Sequence, residues 1–192
     1  MNFLAHLWLA DRTGTSLSGS VLGDVVRGAD LSAYPDDVAL GIRLHRRVDA
    51  ATDRHPIMQA ARGGFAQGER RYAGIVLDLA ADHALANAWG DFHDRPLSDF
   101  ATRCGVSLAD DGEWFERGGG RRPSAAGFAE LLQSYGTDYG IERAIRRTST
   151  RLRDPQGLVD AGRGWMEASQ ILMPQLRELL DALVAVMNTR EA

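Results

Sequence analysis

The sequence predicts an all-α protein, an irregular helical bundle forming a single domain over residues 1–192. Three observations predict it. Between the six prolines, apolar residues recur at three- and four-residue spacing. No segment carries the alternating pattern of a strand. A chain of 192 residues, 44% apolar and 25% charged, can build one sizeable core and has little length left for a second.

The elements follow in chain order. The apolar run at Asn2–Ala10 reads as the first helix and Leu17–Arg27 as the second. Asp36–Asp53 follows Pro35, repeats Val38, Ile42 and Val48 at helical spacing, and places Asp36 and Asp37 where the helix dipole favours acidic groups. Pro56–Ala66 comes next. Glu69–Trp89 is the longest helix of the first half, with Ile75, Val76, Leu79, Leu85 and Trp89 on its apolar face and Gly90 at its end. Weaker helical patterns occupy Leu97–Cys104, Ala125–Tyr135, Tyr139–Arg153 and Leu158–Met187, the last bent or interrupted at Pro174. Gly118–Pro123 (GGGRRP) is a loop, and there is no internal repeat.

Composition excludes several classes. No apolar stretch approaches the roughly 18 residues needed to span a bilayer. The N-terminal segment lacks a basic start and a small-residue cleavage site and contains His6, which argues against a signal peptide. One cysteine, Cys104, cannot form an internal disulfide and fits a reducing cytoplasm. A net charge of −4 gives no reason to expect nucleic acid. All 22 basic residues are arginine, so Schiff-base lysine chemistry and a P-loop phosphate site are ruled out.

The chemistry lies where polar residues interrupt apolar stripes. On Glu69–Trp89, Ile75, Asp78, Asp82, Leu85 and Trp89 share a face, which puts two carboxylates one turn apart with His83 beside them. On Asp36–Asp53 the series Val38, Ile42, His45, Asp49 and Asp53 repeats the arrangement, and Asp24 continues Leu17 and Val21. Clustered carboxylates repel unless compensated by a divalent cation or by arginines. The first 94 residues hold eleven Asp and a single Glu, Glu69. Taken singly, a core histidine is usually a hydrogen-bonded structural group and a helix-face aspartate is usually solvated. Several of them on neighbouring helices point instead to a metal pocket. His6, paired with Asn2 at i, i+4, reads as a capping or core residue. Arg46 and Arg47 flank the His45/Asp49 face, and Arg70 and Arg71 open the helix bearing Asp78. Each can reach a phosphate or bridge a surface carboxylate. Arg143, Arg146, Arg147, Arg151 and Arg153 line one basic helix, either a solvated face or a seat for an acidic partner.

Four blocks, MNFLAHLWLA, SLSGSVLGDVVRG, GIRLHRRVDAATDRHP and RRYAGIVLDLAADHALANAW, resemble in order those of the acyl carrier protein phosphodiesterases, also called acyl carrier protein hydrolases. The second half is similar only in helical outline. The resemblance implies a helical fold distantly related to the HD-domain phosphohydrolases, a Mn²⁺ or Mg²⁺ cofactor, and removal of the 4′-phosphopantetheine arm from holo-acyl carrier protein. It carries over to Asp24, His45, Asp49, Asp53, Asp78, Asp82 and His83. The adjacent pair reads Asp82–His83, the reverse of the usual His–Asp order.

Expected roles follow from phosphodiester chemistry, which needs charge neutralisation, a positioned water and help for the leaving serine alkoxide. Asp24, His45, Asp78 and Asp82 are expected to hold metal, and His83 or Asp49 to assist proton transfer. Arg46 or Arg47 is expected to steady the phosphate, and the Arg143, Arg146, Arg147 and Arg151 face to receive the acidic carrier. Two other readings remain open: an HD-like phosphohydrolase acting on nucleotides or other small phosphoesters, and a noncatalytic helical binding protein whose pocket is filled by Asp–Arg pairs.

Overall fold

The computed structural model describes residues 1–189, and among them there are helices and no strand. Helix α1 (Phe3–Thr13) ends at Gly14, whose φ of 66° is the left-handed conformation that closes a helix at little cost only for glycine. Ser16 caps α2 (Leu17–Leu22) by accepting the Gly19 amide. Pro35 precedes α3 (Asp36–Arg54), and Pro56 is the first residue of α4 (Pro56–Gly63). Helix α5 (Ala73–Asn87) follows a turn-rich stretch, and α6 (Leu97–Asp110) and α7 (Gly112–Arg117) lead to the Gly118–Pro123 loop. Ser124, Thr137 and Asp154 cap α8 (Ala125–Ser134), α9 (Asp138–Ser149) and α10 (Pro155–Ala161). Helices α11 (Trp165–Leu172) and α12 (Leu176–Asn188) complete the chain.

Two helices form the centre. Every residue of α1 from Leu4 to Ala10 is buried, His6 included, and α5 is buried on nearly all sides through Val76, Leu77, Leu79, Ala80, Ala81, Asp82, Ala84 and Leu85. Such all-round burial removes the polar face that periodicity reads. Helix α11 packs along α5, α12 packs along α3 and α1, and α6 pairs with α8. At the α2–α3 crossing the two backbones approach closely. A Cβ on Gly19 would lie 2.6 Å from the Val38 carbonyl oxygen and 2.8 Å from Gly41 Cα. Glycine at both positions therefore brings the end of α2 against the middle of α3, the region that carries Asp24 and His45.

Two expectations are corrected, and one helix was not expected. The second helix stops at Leu22 rather than Arg27, which leaves Asp24 on the turn beyond it. The long C-terminal helix is interrupted at Pro174 as expected, but it also breaks earlier, so that α10, α11 and α12 are separated by 3-10 turns at Gly162–Gly164 and Met173–Gln175. The glycines weaken the first junction, and Pro174 blocks continuation at the second. Helix α7 has only 6 residues, too short for a periodic signal. No helix among the described residues is long and apolar enough to cross a membrane.

Candidate active site

Helices α1, α3 and α5 and the turn after α2 bring a set of acidic and imidazole groups together beside one cleft, which Asp24, Asp49 and Asp78 line. Along α3, His45 and Asp49 sit one turn apart and project together, with His45 Nε2 3.1 Å from Asp49 Oδ2. From α1, His6 Nε2 reaches Asp49 Oδ1 at 3.0 Å. Asp24 Oδ1 lies 3.4 Å from His45 Nε2. Asp78 from α5 faces the Met1 α-amino group at 3.1 Å, and Asp49 lies 3.5 Å from the same group.

The His45 ring is held from behind. Its Nδ1 donates to the Ser20 carbonyl at 2.7 Å, an acceptor that fixes the protonated nitrogen and turns Nε2 toward Asp24 and Asp49. Nε2 is fully buried between the two carboxylates, yet its N–H is aligned with neither. A buried polar atom without a partner, aimed into a group of carboxylates, is what a metal-binding imidazole presents before an ion is bound. Ligand atoms of His6, His45 and Asp49 all fall within 4.8 Å of one another, so this group could hold a metal ion.

The surrounding charges separate the two histidines. Burial opposes a charge on His45, but Asp24 and Asp49 outweigh it and raise the pKa to about 9. For His6 burial wins; with His45 and the Met1 amino group nearby, its pKa falls to about 4 despite Asp49. Burial also works against the ionised forms of Asp49 and Asp24, but the imidazoles beside them hold both below the usual carboxylate range. Asp78 moves the other way, because burial exceeds the help it receives from the Met1 amino group.

Several expected residues lie elsewhere. Asp82 Oδ2 accepts the Leu4 amide at 2.8 Å and Oδ1 accepts the Ala5 amide at 3.1 Å. It caps the buried start of α1 from another helix, a position no periodic pattern reveals, and both oxygens are committed away from a metal. His83 Nδ1 bonds the Tyr135 carbonyl at 2.8 Å, and its ring packs edge-on against Trp165, outside the cleft. Arg46 donates to the Val26 carbonyl, and Arg47 to the carbonyls of Val186 and Thr189, so both guanidiniums tie backbone segments together. Asp53 pairs with Arg62 at the surface. The basic helix also divides: Arg146 pairs with Glu142, whereas Arg147 and Arg151 line the cleft.

The cleft has a volume of about 1050 Å³. Asp24, Asp49 and Asp78 line it, Phe3 and Phe128 are among its apolar residues, and Arg121 and Arg122 reach it from the glycine-rich loop. His6 and Arg121 are the residues that sequence reasoning missed. For His6 the signal was a lone ionisable side chain within an apolar helical run. For Arg121 it was a pair of arginines directly after three glycines.

Residues 1–183 match the family described as acyl carrier protein phosphodiesterase. Proteins of that name from Shigella boydii and Escherichia coli are 46% identical to this chain over 101 residues, 52% of the chain and 52% of each relative. The matched stretch thus spans about half the length of these curated relatives. No solved structure matches. With the family match running from Met1 to Leu183 in α12, and the four sequence blocks mounted around a common cleft, the chain belongs to the acyl carrier protein phosphodiesterase family.

Proposed function

We propose that the protein is a metal-dependent phosphodiester hydrolase that removes 4′-phosphopantetheine from holo-acyl carrier protein, releasing the apo-carrier. The observation that carries this reading is the His45 ring, braced at Nδ1 by Ser20 and aiming an unpartnered Nε2 between Asp24 and Asp49. Family membership supplies the substrate class. His6, His45, Asp49 and Asp24 would hold the ion. Two imidazoles with carboxylates suit Mn²⁺ better than Mg²⁺, which favours all-oxygen surroundings. When bound, the ion would neutralise phosphoryl charge and make a nearby water more acidic.

The reaction adds water to phosphorus and breaks the bond to the carrier's serine oxygen. That oxygen must leave with a proton. Asp78 lines the cleft with its pKa raised by burial, and it is assigned this role. Asp49 is held strongly ionised between two imidazoles, so a ligand role replaces the proton-transfer role expected of it. The buried Cys104, its thiol pushed up to about 12 by desolvation, takes no part.

The test is incubation of purified protein with holo-carrier and Mn²⁺, with the carrier then weighed by mass spectrometry. Loss of the phosphopantetheine mass, abolished by chelation and restored by Mn²⁺, is expected. An unchanged carrier mass in the presence of Mn²⁺ overturns the proposal. Equal turnover of free nucleotide phosphodiesters would favour a small-molecule phosphohydrolase instead.

A further inference from the structure

The cleft is lined by both signs of charge: Asp24, Asp49 and Asp78 on the one hand, and Arg121, Arg147 and Arg151 on the other. Among the described residues none of these three arginines has an ion-pair partner, while six other arginines of the chain do. Unpaired guanidiniums gathered in one concave site repel one another, and an anion relieves that repulsion with directed hydrogen bonds.

The loop that supplies Arg121 is seated rather than free. The Gly120 amide donates to the Phe115 carbonyl at 2.8 Å and the Gly119 amide to the Glu116 carbonyl at 3.0 Å. Gly119 has a φ of 81°, which a residue with a side chain rarely adopts, and a Cβ on Gly120 would stand 2.8 Å from Val25 Cγ1. The glycines thus let the loop lie on Val25, the residue after Asp24, and deliver Arg121 to the same cleft. Arg122 is held back by Glu116, 3.6 Å away. Arg147 and Arg151 arrive from the last turn of α9 and just beyond it, with Thr148 and Thr150 also lining the cleft.

We infer that Arg121, Arg147 and Arg151 form an anion-binding wall that takes the phosphoryl oxygens of a phosphoester whose scissile bond lies over the His45/Asp49 pair. The inference rests on the hydrolase reading for the scissile bond, but the wall binds phosphate whether or not turnover occurs. It replaces Arg46 and Arg47 as the phosphate contacts, and it moves Arg147 and Arg151 from an outer docking face into the substrate cleft. The cleft exceeds what a phosphate fills and lies just above the roughly 300–1,000 Å³ of ordinary ligand sites, which leaves room for a phosphoester with an extended organic arm.

The experiment titrates inorganic phosphate into metal-free protein, followed by ³¹P line broadening, for wild type and for Arg121→Gln, Arg147→Gln, Arg151→Gln and Arg146→Gln. Saturable phosphate binding that weakens about tenfold in each cleft variant and is unchanged in Arg146→Gln supports the wall. Arg147→Lys, which keeps the charge and loses the bidentate fork, should fall between wild type and Arg147→Gln. No saturable binding by wild type, or equal loss in Arg146→Gln and the cleft variants, overturns it. Metal-dependent turnover of holo-carrier by wild type is measured in parallel. Phosphate binding of the expected pattern without turnover defeats the hydrolase reading and leaves the wall standing. Normal turnover with phosphate affinity equal in all variants defeats the wall alone.

Discussion

The His6 and His45 rings stack with centroids 3.9 Å apart and planes 19° from parallel, each ring touching a different oxygen of Asp49. Two imidazoles so close cannot both carry a proton without repulsion, and the protein resolves this by charging one. His45, between two carboxylates, holds its proton up to about pH 9, whereas His6, buried beside His45 and the Met1 amino group, gives its proton up at about 4. At neutral pH the pair carries a single positive charge, which a divalent cation can replace.

Metal binding is therefore expected to expel a proton from His45 Nε2. Near neutral pH about one proton should be released per ion, and affinity should rise roughly tenfold per pH unit until about pH 9. Titration calorimetry with Mn²⁺ in two buffers of different ionisation enthalpy measures the release. Identical heats in both buffers would exclude His45 Nε2 as a ligand.

The metal-free protein should lose stability in alkali through the same group. The folded-state pKa of His45 lies above the ordinary 6.5, so the stability it contributes is fully present below about pH 6.5 and is lost as pH rises through about 9. Its size is on the order of 3 kcal/mol. Urea unfolding at a series of pH values checks this: the difference between wild type and His45→Gln should shrink from pH 6 to pH 10. A constant difference would contradict it.

Asp82 separates structure from catalysis. Asp82→Asn keeps the shape but leaves one of the Leu4 and Ala5 amides without an acceptor, so the α1 start loses about 1–3 kcal/mol while Mn²⁺ affinity changes less than twofold. Thermal melts and metal titration on the same preparation decide the matter. A metal affinity reduced tenfold or more in a folded variant would return Asp82 to the ligand set.

The legible part of this site was the part on helices with one wet face. His45 and Asp49 share a turn of α3, whose outer positions Arg43 and Arg54 are exposed, so the stripe they interrupt could be read, and Asp24 lay on the extension of a second stripe. Helix α5 misled because it is buried all round: spacing placed Asp78 and Asp82 together, but Asp78 faces the cleft and Asp82 the start of α1, from residues 78 positions away. His83, adjacent to Asp82, necessarily points elsewhere, toward Trp165. The fold class needed only helical spacing. The contacts of His6 and Arg121 depend on packing between distant segments, for which a single sequence offers no local signature.

Glycine at position 23 makes room for His45. A Cβ there would fall against the His45 ring. Gly23→Ala must therefore turn the ring off the Ser20 carbonyl or push the Asp24 turn outward. Mn²⁺ affinity should fall at least about tenfold, with about 1–3 kcal/mol lost from overpacking. Gly28→Ala, where no atom lies within 4 Å of the added Cβ but φ is 80°, is the control: it should cost stability through its backbone and spare metal affinity.

Arg46 is expected to act on the site through the chain that carries Asp24. Its Nη2 donates to the Val26 carbonyl at 3.0 Å, and the Val26 amide returns to the Leu22 carbonyl at 2.8 Å, so the Gly23–Val26 turn is tied at both ends. Removing the guanidinium releases one end and leaves the carbonyl half-satisfied, worth about 1–2 kcal/mol. The Asp24 carboxylate, exposed on that turn, then loses its fixed approach to His45. Arg46→Gln should lower kcat and Mn²⁺ affinity together while KM for holo-carrier stays near wild type, because no substrate contact is lost. Arg46→Lys, able to donate a single bond to the same carbonyl, should recover part of both. Arg147→Gln should show the opposite split, a raised KM with metal affinity unchanged. If Arg46→Gln instead raises KM for the carrier with Mn²⁺ affinity intact, the guanidinium contacts the substrate, and the phosphate must sit on the α3 side of the cleft.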